Sequence, residues 1–173
     1  LPVMLNVISH FKDYEIIIAG APNKNIDYYE KIIQTNKSNN NSIKIICNQT
    51  YDILRVSSAA IVTSGTATLE TALFRVPQVV CYKTSFMSYL IGRLLIPNLK
   101  YISLVNIILD KKAVAELIQS NCNKDSLVIE LEKILNESKR TLMLKEYELL
   151  RKKLGGKGSS KKTAELISKY LKN

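Results

Sequence analysis

The sequence predicts an α/β domain built on a doubly wound parallel sheet, with helices alone at its C-terminal end. Three observations carry this. Five short runs are nearly all apolar, helical patterns separate them, and roughly the last forty residues are purely helical. Such runs mark strands buried on both faces, as happens when helices cover a parallel sheet from each side. A chain of 173 residues suits one such domain with a real core.

Each element follows from its local pattern. The opening LPVMLNVISHF, without an initiator Met, reads as already inside an amphipathic helix, so we expect an excised piece with an upstream partner. YEIIIAGA (14–21) is a strand, and NIDYYEKIIQTN (25–36) is a helix with Asp27 near its start. NKSNNNS is a loop, SIKIIC (42–47) a strand and YDILRVSS (51–58) a short helix. AAIVTS (59–64) is a strand, TATLETALFR (66–75) a helix, and QVVCYK (78–83) a strand. SFMSYLIGRLL (85–95) reads as a helix, KYISLVN (100–106) as a short strand that bends away, and KKAVAELIQS (111–120) as a helix. DSLVIELEKILNES (125–138) and a long basic stretch to about Leu154 are helices. LGGKGSS then breaks the chain before a last helix at 161–173. It is Gly-rich like a phosphate loop, but no strand precedes it, so it reads as a turn.

Composition narrows the class. At 46% hydrophobic, 23% charged and 7% aromatic, the chain is globular rather than disordered or fibrous. Cys47, Cys81 and Cys122 are odd in number, far apart and without metal-ligand spacing, so we expect reduced core thiols in a cytosolic protein and no metal. No run approaches the roughly 18 apolar residues of a membrane span, and no secretory signal is evident. Of the net charge of +10, +7 lies in residues 137–173, with eleven Lys or Arg against four Glu. A basic tail can meet nucleic acid or an anionic lipid surface. Nucleic acid is disfavoured, because no aromatic-rich strand, zinc-finger spacing or RNP-like motif accompanies the charge. In ESKRTLMLKEYELLRKKL the basic residues interleave with apolar ones at helical spacing, as in an amphipathic helix docked on something else.

The stretch TSGTATLE (63–70) joins a strand to a helix through a glycine. In open parallel sheets ligands bind at the carboxyl ends of strands, where helix N-termini present free N–H groups. Gly65 lets backbone approach an anion, while Ser64 and Thr66 add hydroxyls. No Lys follows in P-loop fashion and no GxGxxG appears. The competing reading is that Ser64 or Thr66 only caps the helix, worth about 1 kcal/mol. Glu70 argues for a ligand. With Thr66 as N-cap it falls one residue beyond a capping-box position, and it could bind the vicinal hydroxyls of a ribose.

These residues, with SGTATLETALFRVPQVVCYKTSFMSYLIGRLL and KYISLVNIILDKKAVAELIQ around them, resemble the C-terminal half of the lipid-A-disaccharide synthase family. The resemblance spans nearly the whole chain. SGTATLE, the VVxYK segment at Val79 to Lys83, and YISLVN followed by ELIQ are its most specific parts. It implies an inverting, metal-independent glycosyltransferase of the GT-B type, whose Rossmann-like C-terminal domain binds the donor. It further implies transfer of 2,3-diacylglucosamine from its UDP donor to 2,3-diacylglucosamine 1-phosphate, giving the β-1,6-linked disaccharide phosphate and UDP.

By the same resemblance Ser64, Gly65 and Thr66 would hold the diphosphate and Glu70 the ribose. Asn106 and Gln119 would line the cleft near the donor, with Glu116 a weaker candidate. Tyr82 and the backbone near Ile102 would border the uracil. Val105, Asp110 and Ala115 stand where the family often has Pro, Gly and Pro, which puts loop geometry rather than chemistry in question. The family's Gly-Ser-Arg segment and its acidic base candidates do not lie within the chain.

Inverting transfer needs a base for the acceptor hydroxyl and stabilisation of the departing diphosphate. The chain supplies part of the second, so alone it should not catalyse. His10, the only histidine, has no nucleophile or metal partner in sequence and is expected to be structural or on the surface.

The expected organisation is a Rossmann-like donor domain at 1–136. A basic helical appendage at 137–173 would pack on the missing N-terminal domain or on a partner subunit, with a homodimer as one form. The resemblance also implies lipopolysaccharide synthesis in Gram-negative bacteria, and a cytoplasmic enzyme peripheral to the anionic face of the inner membrane, with no cofactor. Two alternatives stay open: another UDP-sugar GT-B enzyme, such as a hexosamine transferase or UDP-N-acetylglucosamine epimerase, and a non-catalytic basic module for lipid or RNA.

Overall fold

The computed structural model describes residues 1–36, 43–63, 65–85, 100–155 and 158–171. The described strands are all parallel. β1 (Ile16–Gly20) pairs with β2 (Ile43–Cys47), aligning Ile16 with Ile43 and Gly20 with Cys47. β3 (Ala60–Thr63), β4 (Gln78–Tyr82) and β5 (Ala115–Ile118) form a second set in that order, with β4 in the middle. Among the described residues the two sets are not hydrogen-bonded to each other, so the expected sheet is present as two parallel groups. Helices connect the strands: α2 (Ile26–Thr35), α3 (Thr50–Val56), α4 (Thr66–Leu73) and α5 (Leu104–Leu109). Then follow α6 (Lys124–Leu135), α7 (Glu137–Leu154) and α8 (Ser159–Leu171). This is the α/β class the sequence predicts, consistent with a Rossmann-like half of a GT-B fold.

Helix starts are set largely by asparagine. The side chains of Asn25, Asn123 and Asn136 accept backbone N–H bonds from Tyr28, Ser126 and Ser138, capping α2, α6 and α7. The N-terminal segment is shorter than the expected amphipathic helix. One turn, α1 (Pro2–Leu5), is followed by a 3-10 turn at Ile8–His10, and Leu5, Val7 and Ile8 are buried. The expected helix at 85–95 falls, from residue 86, outside the described residues.

Two expectations are corrected. KYISLVN is not a strand, because Ser103 accepts from the Asn106 N–H and starts α5 at Leu104. KKAVAELIQS is not a helix, because its Ala115–Ile118 part is β5. Local propensity misleads in both places. β-branched Ile and Val favour a strand, while Ala, Glu and Leu favour a helix. What decides is the free edge of β4, which AELI occupies with period-two burial, Ala115 and Leu117 inside, Glu116 and Ile118 half-buried. Asp110, left-handed at φ 52, ends α5 and turns the chain toward that edge. Glycine would adopt this backbone without strain.

β4 is buried from Gln78 to Cys81, and the core closes around it. α6 contributes Leu127, Leu131 and Ile134, and α7 contributes Met143, Tyr147 and Leu150, each at steps of four and three along one helix face. The segment 137–173 thus divides. α7 is built into the domain, whereas residues 161–171 of α8 are exposed throughout. Cys81 and Cys122 are buried free thiols, and Cys47 is half-buried. Burial, reinforced by the neighbouring Cys122 thiol, pushes Cys81 up to about 12.

Replacing Leu150 by Ala should cost about 2–5 kcal/mol in urea unfolding, whereas Leu166→Ala on the exposed helix should stay within about 0.5 kcal/mol. Thiol labelling of the native protein at pH 8 should modify Cys47 and spare Cys81 and Cys122 until unfolding. The folded Cys81 keeps its proton up to about 12, whereas an unfolded thiol releases it near 9.0. Its contribution to stability is therefore complete below 9.0 and lost as pH rises toward 12, which denaturant midpoints across that range will show.

Candidate functional site

The carboxyl ends of β3, β4 and β5 form one edge. Thr63, Cys81 and Leu117 share a row of the sheet, so Gly65, Lys83 and Gln119 each stand two residues beyond it. Tyr82, the last residue of β4, pairs with Ile118 and is partly exposed, as is Lys83 beside it. The structure therefore brings Gly65, Thr66, Tyr82 and Gln119 to one side of the sheet. Ser64 lies outside the described residues.

Gly65 is the N-cap of α4, with φ 137 and ψ −162. A Cβ there would meet nothing within 4 Å, so the left-handed backbone, not space, requires glycine. Thr66 is the first helical residue rather than the cap, and no side chain caps α4. Among the described residues the N–H groups of Thr66 and Ala67 have no hydrogen-bond partner. The capping reading is thus not met at Thr66. The Thr68 hydroxyl instead donates to the Gly65 carbonyl at 2.8 Å, tying loop and helix together.

Glu70 is half-buried, four residues beyond Thr66 on the same helix side, about 6 Å along the axis. Among the described residues its carboxylate makes no ion pair or hydrogen bond. A free carboxylate and two free backbone N–H groups on one short helix can take hydroxyls and an anion respectively.

The other predicted polar residues make hydrogen bonds within the chain. Asn106 is 0% exposed. Its Oδ1 accepts from the N–H groups of Ala113 and Val114 at 2.8 and 2.9 Å, and its Nδ2 donates to Val114 O and Glu116 Oε1 at 2.9 and 2.8 Å. The resemblance implies Asn106 at the cleft wall, but the folded chain buries its amide and uses every bonding position internally. Glu116 also accepts from the N–H groups of Ile102 and Ser103 at 3.0 and 2.8 Å and from the Ser103 hydroxyl at 2.7 Å. Its carboxylate pins the 102–103 backbone to β5.

Gln119 does the same for the segment after β4. It accepts from the Thr84 N–H at 2.8 Å and donates to the Thr84 carbonyl at 3.1 Å, from a left-handed backbone at φ 50. His10 lies away from this edge, 2.8 Å from Glu132 of α6 on an exposed surface. Sequence reasoning missed the buried polar side chains Thr68, Gln78, Ser103 and Tyr147: Thr68 and Ser103 stand within SGTATLE and YISLVN but were not singled out there, and no motif marks Tyr147.

Among the described residues, no group of three or more His, Cys, Asp or Glu could hold a metal, and no helix is long and apolar enough to cross a membrane.

A family model described as lipid-A-disaccharide synthetase matches residues 3–170. The lipid-A-disaccharide synthase of Syntrophus aciditrophicus (strain SB) is 40% identical over 140 residues, covering 80% of this chain and 36% of that protein. That of Francisella tularensis subsp. tularensis (strain WY96-3418) is 37% identical over 113 residues, covering 65% of this chain and 30% of the relative. The chain spans about a third of the length of these relatives.

Asn106→Ala would leave the Ala113 and Val114 donors without their side-chain acceptor, at about 1–3 kcal/mol each, while Glu116 Oε1 keeps its two bonds from Ser103. The variant should lose at least about 2 kcal/mol in chemical denaturation.

Proposed function

The chain belongs to the lipid-A-disaccharide synthetase family, and from that premise we propose that it is the donor-binding part of a lipid A glycosyltransferase. The donor is UDP-2,3-diacylglucosamine and the acceptor 2,3-diacylglucosamine 1-phosphate. One observation carries the reading. A glycine at φ 137 opens a helix whose first N–H groups are uncapped, at the carboxyl edge of a parallel sheet.

The diphosphate sits against the Thr66 and Ala67 N–H groups, with the Thr66 hydroxyl beside them. The positive end of α4 adds to the attraction, typically by 0.3–1 kcal/mol. Glu70 takes the ribose hydroxyls, and Tyr82 borders the uracil. In the reaction the acceptor hydroxyl attacks the anomeric carbon and the bond from that carbon to the diphosphate oxygen breaks. The electron pair leaves with UDP. The uncapped amides stabilise the charge gathering on that leaving group. The acceptor proton goes to a base outside this chain, so the isolated chain binds donor without turning it over. Glu116, Asn106 and Gln119 act from behind, by shaping the two segments that border the edge. α8 packs on the rest of the enzyme or on a partner subunit, and the enzyme works at an anionic membrane surface.

Titrating UDP into the chain should shift the backbone amide resonances of Gly65 to Glu70. Glu70→Ala should weaken UDP about tenfold, the factor of 1.4 kcal/mol, and leave 2′,3′-dideoxy-UDP unchanged. Absence of any shift around Gly65 on UDP addition would sink the assignment.

A further inference from the structure

α4 is held from beneath by a chain of hydrogen bonds that begins on α7. Gln78, at the start of β4, is 0% exposed. Its Nε2 donates to the Tyr147 hydroxyl at 3.3 Å and to the Thr68 carbonyl at 2.9 Å. The Thr68 hydroxyl donates in turn to the Gly65 carbonyl at 2.8 Å. Tyr147, Gln78 and Thr68 are buried, so water does not compete for these bonds. Burial pushes the Tyr147 phenol upward, outweighing the bond from Gln78, so the hydroxyl stays neutral.

We propose that Gln78 and Tyr147 are positioning residues for the donor loop, holding the first turn of α4 so that the Gly65–Ala67 backbone presents its free N–H groups to a diphosphate. The inference rests on the diphosphate site proposed above.

Three physical points support it. First, the bonded carbonyl belongs to Thr68, one turn or less from the uncapped N–H groups, so a shift there moves the binding amides directly. Second, the route ends on Gly65, whose φ of 137 is an unfavourable region for most residues and is held by its neighbours. Third, the other end of α4 is anchored to the same helix, because Arg75 just past α4 pairs with Glu148 of α7. Two attachment points at opposite ends fix the direction of the α4 axis, and with it the aim of its N-terminus. α7 carries no residue at the sheet edge, yet sets the geometry there. Arg140 and Lys153 of α7 bond the carbonyls of Ser58 and Ile108, so the helix itself is fixed at several places.

The experiment uses the full chain under conditions where each variant stays folded by circular dichroism. Tyr147→Phe removes one hydroxyl and Gln78→Met removes the amide at similar volume. Leu150→Ala, on the same helix but outside the bonded route, is the stability control. Both relay variants should move the Gly65 and Thr66 amide resonances without ligand and weaken UDP about fivefold, the loss of one hydrogen bond's worth. Leu150→Ala should destabilise more and leave UDP affinity within about twofold.

If wild type binds UDP and both relay variants bind it equally well, the positioning role is overturned. A UDP loss in Leu150→Ala matching theirs also overturns it, because general loosening would then explain the effect. If wild type does not bind UDP, the diphosphate site fails. The ligand-free resonances then decide the remaining claim, with unmoved Gly65 and Thr66 signals overturning it.

Discussion

A strand buried on both faces must satisfy its backbone through its two neighbours and its side chains through helices above and below. β4 is that strand, and the packing around it fixes most of what surrounds it. Val79, Val80 and Cys81 leave no room for water, so β3 and β5 must flank it in parallel and the connections between them must cross over as helices. α6 and α7 present their apolar faces to the same layer. A polar residue in such a strand is costly unless bonded, and Gln78 meets half of the requirement: its Nε2 reaches α4 and α7, while its Oε1 is buried without a partner among the described residues. The central strand thereby links the helix at the sheet edge with the helix behind it.

The edge is trimmed by side chains of β5 and the residue after it. Glu116 gathers four donors from the 102–106 region, and Gln119 grips the backbone of Thr84 through both its amide groups. A carboxylate or amide used in this way substitutes for strand pairing where the strands have already ended. The backbone at the mouth of the candidate site is therefore held by side chains.

The strands β1 to β4 and the helices α2, α3, α4, α6 and α7 were legible because their apolar spacing agrees with their packing, and α8 was legible from its helical spacing alone. The fifth strand was not. AELI has the composition of a helix and LVNIIL that of a strand, and only the open edge of β4 and the Ser103 cap reverse them. Gly65 was legible through its place between an apolar run and a helix. Asn106 was legible as important but not in its manner, since nothing in the sequence says that Ala113 and Val114 fold back onto its amide. Tyr147 and Gln78 carry no signal at all, being separated by 69 residues and joined only by the fold.

Gln119 couples two demands that few side chains meet together. Its backbone is left-handed at φ 50, and its amide must span to both the N–H and the carbonyl of Thr84. Glycine would relax the backbone and abandon the grip. Asparagine tolerates the left-handed turn but is one methylene short, and glutamate can accept from the N–H but cannot donate to the carbonyl. Substitutional freedom at this position is narrow for reasons of reach and dihedral angle, even without contact to any ligand.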